Sequence, residues 1–291
     1  WGILSLRTWW SRLSSLSLPT ANLLLLNFLT ITDRNGQALS STVADTYNLD
    51  LQHMIKFWGA HQFTYGLNYR HISLTSNINS DVSREDRLGL FVQNEWRVTP
   101  RISLVAGGRY DMDTFIKPTL SPRLAVIYQL SPNHSFRASA SVAYRPPTLI
   151  ETSLDQRART TIPTGLAPPA PSTFTNVIPV RGSAGLDPEQ IISGDVGYQG
   201  WWFQHRLRTR GDLFFSHLSD LIGNRNVSAT QATFVNDQGH ANIYGMEVGI
   251  EVLATTWLSG YANYSYEFFD HTFLGTVRRG APNHKTIVGF R

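Results

Sequence analysis

The chain has no cysteine, which excludes a disulfide framework and any thiolate metal site. Charge is also scarce. Asp, Glu, Lys and Arg make up 16% of the residues, against roughly a quarter in soluble domains. No window approaches the roughly eighteen consecutive apolar residues that a membrane-spanning helix needs, and the run Leu23–Leu26 is far too short. The net charge of +4 is mild, and no basic surface coincides with a recognisable nucleic-acid fold, so nucleic acid is not an expected partner. Phosphate loops and dinucleotide fingerprints are missing. Gly182-Ser-Ala-Gly185 is not a nucleophile elbow. His53, His61, His71, His134, His205, His217, His240, His271 and His284 are scattered without ligand spacing. No enzyme activity, resident cofactor or metal site is expected.

What the chain does have is alternation. Aromatics reach 12%, including 8 Trp and 11 Tyr. Residues 91–111, FVQNEWRVTPRISLVAGGRYD, read as two strands joined at Thr99–Pro100. One register of the second strand is Ile102, Leu104, Ala106, Gly108 and Tyr110; the other is Ser103, Val105, Gly107, Arg109 and Asp111. A soluble sandwich buries the apolar register against a second sheet. A membrane barrel turns it to lipid and keeps the polar register in the lumen. The same split recurs elsewhere. Phe136, Ala138, Ala140, Val142 and Tyr144 alternate with Arg137, Ser139, Ser141, Ala143 and Arg145. Tyr244, Met246, Val248, Ile250 and Val252 alternate with Ile243, Gly245, Glu247, Gly249 and Glu251. Arg206, Arg208, Arg210 and Asp212 share a register opposite Leu207, Thr209, Leu213 and Phe215.

Connection lengths favour the barrel. Strands are expected at 46–57, 62–75, 86–98, 102–112, 121–130, 134–144, 190–199, 202–218, 242–253, 258–269 and 284–291, with one more at 23–32. Short links at 58–61, 99–101, 131–133, Gly200 and 254–257 alternate with long ones at 33–45, 76–85, 113–120, 145–189, 219–241 and 270–283. Strict parity puts turns at one end and loops at the other, as in an outer-membrane barrel. Aromatics cluster near strand ends, at Phe57, Trp58, Tyr69, Trp96, Tyr110, Tyr128, Tyr144, Trp201, Trp202 and Trp257, in the manner of interfacial girdles. The fold class expected is all-β, an antiparallel transmembrane β-barrel that is partial. Residues 46–291 form its wall. Residues 1–45 stay unassigned apart from the strand at 23–32, and the chain reads as a piece of a longer protein. Residues 145–189 read as a long polar loop rich in Pro, Ser and Thr.

Several ordered segments resemble the C-terminal barrel of TonB-dependent outer-membrane receptors. They are residues 91–111, LSPRLAVIYQLSPNHSFRASASVAYRPPTLIE at 120–151, LDPEQIISGDVGYQG at 186–200, FVNDQGHANIYGMEVGIE at 234–251 and APNHKTIVGF at 281–290. The resemblance implies a barrel of about 22 strands around a plug domain, of which this chain carries about half. It also implies energised uptake, through TonB, of a scarce small ligand such as a ferric siderophore, cobalamin or haem in a Gram-negative outer membrane. No plug and no TonB box are recognisable in this sequence. A passive porin-like channel and a non-transport surface-recognition barrel remain alternatives.

Within that frame, ligand contacts belong to the long loops, with Tyr144, Arg145, Phe174, Arg181, Arg225, Phe234 and Asn236 as candidates. Arginine would pair with an anionic chelate. Glu95, Arg97, Arg109, Arg123, Arg137, Arg206, Arg208, Arg210, Glu247 and Glu251 are expected on the lumen face. There they would either meet a plug and line the ligand's route or form a salt-bridge network that supports the wall.

Overall fold

The structure is a computed structural model and describes residues 2–17, 29–33, 35–37, 40–79, 83–163, 173–228, 231–237, 239–272 and 282–290. In chain order its strands are β1 (Ile3–Ser17), β2 (Leu29–Asp33), β3 (Ser40–Phe57), β4 (His61–Ser76), β5 (Ser83–Thr99), β6 (Ile102–Asp113), β7 (Thr119–Ser131), β8 (His134–Arg145), β9 (Asp155–Pro163), β10 (Thr173–Arg181), β11 (Glu189–Trp202), β12 (Leu207–Ser219), β13 (Ile222–Ser228), β14 (Gln231–Asn236), β15 (Ala241–Leu253), β16 (Ser259–His271) and β17 (His284–Phe290). One short helix, α1 (Leu149–Ser153), follows β8.

Twelve strands form one antiparallel sheet in the order β1-β3-β4-β5-β6-β7-β8-β11-β12-β15-β16-β17. Among the described residues β1 and β17 have a neighbour on one side only, so the sheet is an open wall. The expected parity is present. Turns at 58–60, 100–101, 132–133, 203–206 and 254–258 share one end, and the remaining connections lie at the other. Strands such as β3 and β5, with 18 and 17 residues, exceed the roughly 9–11 that cross a bilayer, so they project beyond it.

The outward register is uncovered. Leu90, Val92, Leu124, Val126, Val196, Leu213, Val248 and Ile250 are all exposed, Leu213 by 58%. Among the described residues the buried hydrophobics are Leu74, Leu149, Leu154, Leu186, Ala232 and Ala241, which lie at or near the loop end. A soluble sandwich would cover that register with a second sheet. Among the described residues no layer does, and lipid is the solvent that such a face requires.

The sequence left residues 1–45 unassigned, yet β1 pairs with β3 along its whole length, from Ile3 opposite Met54 to Ser17 opposite Ser40. Ser5, Arg7, Trp9 and Ser11 occupy the inward register, opposite Gln52, Asp50, Asn48 and Thr46, while Thr8 and Arg12 interrupt the outward row of Leu4, Leu6 and Trp10. Of the strand expected at 23–32, residues 23–28 lie outside the described residues and the remainder falls in β2. The turn expected at Gly200 is corrected. The ladder continues through Trp201 and Trp202, which face Arg208 and Leu207. The reversal occurs at 203–206 through left-handed Phe203, Gln204 and His205 (φ 51°, 56° and 68°).

The long loops are themselves ordered. β13-β14-β10-β9-β2 make a five-stranded sheet at the loop end, drawn from three separate connections. Residues 145–189, read as one polar loop, contain β9, β10 and α1. The helix starts in a capping box: Thr148 Oγ1 accepts from Glu151 N, and Glu151 accepts from Thr148 N.

Candidate ligand-binding mouth

Cross-strand pairing determines what faces inward. Arg137 lies opposite Gly197, which lies opposite Asp212, which lies opposite Glu247. Arg137 reaches over Gly197 to Asp212 at 2.9 Å and approaches Asp195 at 3.5 Å. A Cβ at Gly197 would collide with Asp212 Oδ1 and Arg137 Nε. Arg210 likewise crosses Gly249 to Asn263 at 3.1 Å. Arg208 binds Gln199 at 3.0 Å and Glu251 at 3.4 Å, with its guanidinium 5.3 Å from the Trp201 ring centroid. Gly197→Val is therefore expected to lower the protein's Tm. Gly211→Val, on the outward register where a Cβ would meet only Glu247 O at 4.0 Å, should leave Tm nearly unchanged, as thermal melts of the two variants would show.

The structure brings the expected lumen residues onto this face with one exception. Glu95, Arg97, Arg109 and Arg123 lie opposite Val105, Ser103, Phe91 and Gly107 respectively, in the inward rows. Arg206 instead ends the 203–206 turn, where its carbonyl accepts from Leu253 N at 2.7 Å and it lines a cavity with Trp201 and Arg208. Trp201, expected in a girdle, shares the face of Arg208.

The loop end of the inward face carries a cluster that sequence reasoning caught only at Arg109. Arg70 on β4 lies directly opposite Arg87 on β5, which lies opposite Asp113 on β6. Arg109 holds both oxygens of Asp111 from Nε at 2.8 Å. Arg87 pairs with Glu85 and lies 2.8 Å from Asp113. Arg70 has a neutral partner, Asn48 Oδ1 at 3.4 Å, and no carboxylate partner among the described residues. These arginines line a cavity of about 220 Å³ that Tyr144 and Pro146 also line. Gly89 leaves room for the Arg109–Asp111 pair, which a Cβ there would strike. The signal available in the sequence was the inward alternation of Asn68 and Arg70 with Glu85 and Arg87, one residue in two on neighbouring strands.

Just above, Arg145 is a clamp. It grips Glu189 through Nη2 at 2.6 Å and through Nε, and Glu151 through both terminal nitrogens at 3.1 Å. Glu189 also accepts from Ile222 N at 2.8 Å, so one guanidinium ties β8, α1, β11 and β13 together. The hydrogen bond to Glu189, more than any other contact, holds the Arg145 proton more tightly than usual. Burial alone would raise Glu151, but the Arg145 and Thr148 hydrogen bonds prevail and lower it.

The other loop candidates fall into two groups. Asn236 stitches loops together, accepting from Asp187 N at 2.9 Å and donating to Asp187 O and Asp220 O at 2.8 and 2.7 Å. Arg225 pairs with Asp237, Tyr144 Oη accepts from Gln190 at 2.8 Å, and Phe234 is half-buried opposite Asn224. Phe174 lies on β10 opposite Ile162. Arg181, 60% exposed and 4.0 Å from Asp155, shares a sheet face with Arg157 and Arg159, since the three oppose or alternate with Asp155. Arg157 and Arg159 are exposed too, so the loop sheet presents a basic face. Their spacing in Gln156-Arg-Ala-Arg-Thr is the strand signal that the polar-loop reading passed over.

The family described as TonB dependent receptor-like, beta-barrel, matches residues 3–290. The chain belongs to the TonB-dependent receptor family. A ferric enterobactin receptor of Pseudomonas aeruginosa, PfeA, superposes with a TM-score of 0.65 at 16% identity, covering 81% of this chain and 37% of that one. The siderophore receptor PirA of the same organism gives 0.66 at 17%, covering 79% and 44%. An iron-regulated outer membrane virulence protein of Vibrio cholerae is 26% identical over 102 residues, or 33% of this chain and 16% of that protein. The chain thus spans well under two thirds of these relatives. The family and fold are those of outer-membrane receptors, and the receptor wall described above lies in the outer membrane.

Proposed function

We propose that the chain forms part of the wall and mouth of a TonB-energised receptor that takes up an anionic ferric chelate. The observation that carries this reading is the trio Arg70, Arg87 and Arg109 at the loop end of the inward face, with Arg70 free of any carboxylate partner among the described residues. A cavity of about 220 Å³ is smaller than the roughly 300–1,000 Å³ of whole-ligand pockets, so it seats the charged part of a larger chelate. The exposed Arg157, Arg159 and Arg181 steer anions toward it. The names of the V. cholerae, PfeA and PirA proteins, which refer to iron or to siderophores, support iron as the cargo. The lower inward rows around Arg137, Arg208, Arg210, Glu247 and Glu251 face the position of a plug domain and supply charge of both signs to hold one.

Arg70→Ala is expected to weaken binding of a ferric catecholate by about tenfold to a hundredfold, the worth of one charge-assisted contact. Arg12→Ala, on the outward register, should leave it unchanged. Equilibrium binding to the receptor in detergent is the measurement, and equal affinities for Arg70→Ala and wild type would remove the trio from ligand recognition.

A further inference from the structure

The mouth holds a buried acid that neither wall-building nor anion binding requires. The side chains of Glu85 and Asp113 are 1% and 4% exposed, and both contact the single guanidinium of Arg87. Two ionised carboxylates on one arginine leave a net negative charge out of water, which is costly. One shared proton removes it. The charged groups around the pair are few. On β5 there is Arg87 itself. From β4 comes Arg70, while Ile72 lies opposite Glu85. From β6 come Asp111 and Arg109, already joined to each other. On the helix side Ser83 and Asn79 bind Ser153, and none of these titrates. Asp86 and His71, though adjacent in sequence, pair with each other on the opposite face.

We propose that Glu85 is a positioning residue that couples ligand capture to a proton: an anion seated at Arg70 and Arg109 binds best when the Glu85–Asp113 pair carries its shared proton. The added proton changes the charge beside the ligand by one unit and breaks no covalent bond. Burial, chiefly, raises Glu85 to about 7, so the coupling falls in the physiological range. This inference rests on the anion-site reading above and adds its proton dependence.

The probe is hexacyanocobaltate(III), a trianion whose charge is constant across neutral pH, titrated into the full receptor in detergent between pH 6 and 8. If only the protonated pair is competent, apparent affinity scales with its population, so Kd should fall about tenfold from pH 8 to pH 6. Glu85→Gln should bind as tightly at pH 8 as wild type does at pH 6, with a flat profile. A merely structural Glu85 would instead give weaker binding at every pH and an unchanged slope, which overturns the proposal. Wild-type calorimetry in two buffers of different ionisation enthalpy gives an independent reading should the variant not fold. Close to one proton should be taken up per anion at pH 8, and none taken up overturns the coupling. Binding without pH dependence sinks the coupling alone. No binding at any pH sinks the anion site and the coupling with it.

Discussion

Leu213→Arg should destabilise the folded receptor in a bilayer by about 2–4 kcal/mol, the cost of a guanidinium on the lipid face near the midplane. Leu213 is the central residue of β12, 58% exposed on the outward register. Its neighbour Asp212 points the other way, to Arg137. Asp212→Asn keeps the volume, removes half of a partly exposed ion pair and should cost less than about 1 kcal/mol. The contrast between adjacent residues is what a two-faced wall requires. Denaturant titration of the receptor in lipid vesicles measures both. Because the chain lacks cysteine, single-cysteine variants along β12 can be labelled without background, and lipid-soluble quenchers should reach alternate positions. Equal costs at 212 and 213 would mean that the registers are not segregated.

Arg145→Ala has the second large effect. It leaves Glu151 and Glu189 without their cation and frees two loop attachments at once. A loss of about 2 kcal/mol of local stability is expected, from charge-assisted hydrogen bonds only partly shielded from water. The readout is limited proteolysis, with faster cleavage within residues 155–181 and an intact transmembrane wall. Arg145→Lys should rescue little, because a single ammonium cannot fork two carboxylates. Acid should act on the same clamp. Glu151 is lowered from its usual value near 4.5, so its contribution is full above that value and is lost as pH falls through the lowered one. Loop cleavage should therefore accelerate as pH falls below 4.5 in wild type and be less sensitive to acid in Arg145→Ala.

The wall was legible in the sequence because membrane strands have a period of two and their links differ at the two ends. Residues 102–112 and 136–145 show both signals, and their registers hold in the structure. Legibility failed where polarity broke the alternation. In β1, Ser5, Arg7 and Ser11 face inward as the pattern demands, but Thr8 and Arg12 on the outward side obscure it. At Trp201 and Trp202 a glycine looked like a turn, whereas three successive left-handed residues after it make the reversal. The mouth was harder to see. Arg70, Arg87 and Arg109 lie on three strands and meet only through register. Arg145 stood out as a ligand candidate by position, yet its contacts are to Glu151 and Glu189, which a linear reading cannot pair. The basic face of Arg157, Arg159 and Arg181 depends on a loop folding into a sheet with segments more than a hundred residues away, such as β2.

The central claim is that the mouth reads negative charge. Its most direct test is the affinity of the receptor for ferric chelates of equal size but different net charge, measured at one pH and one ionic strength. A trianionic tris-catecholate should bind at least about a hundredfold more tightly than a neutral tris-hydroxamate, with the gap narrowing as salt rises. Equal affinities, or a preference for the neutral chelate, would contradict the account.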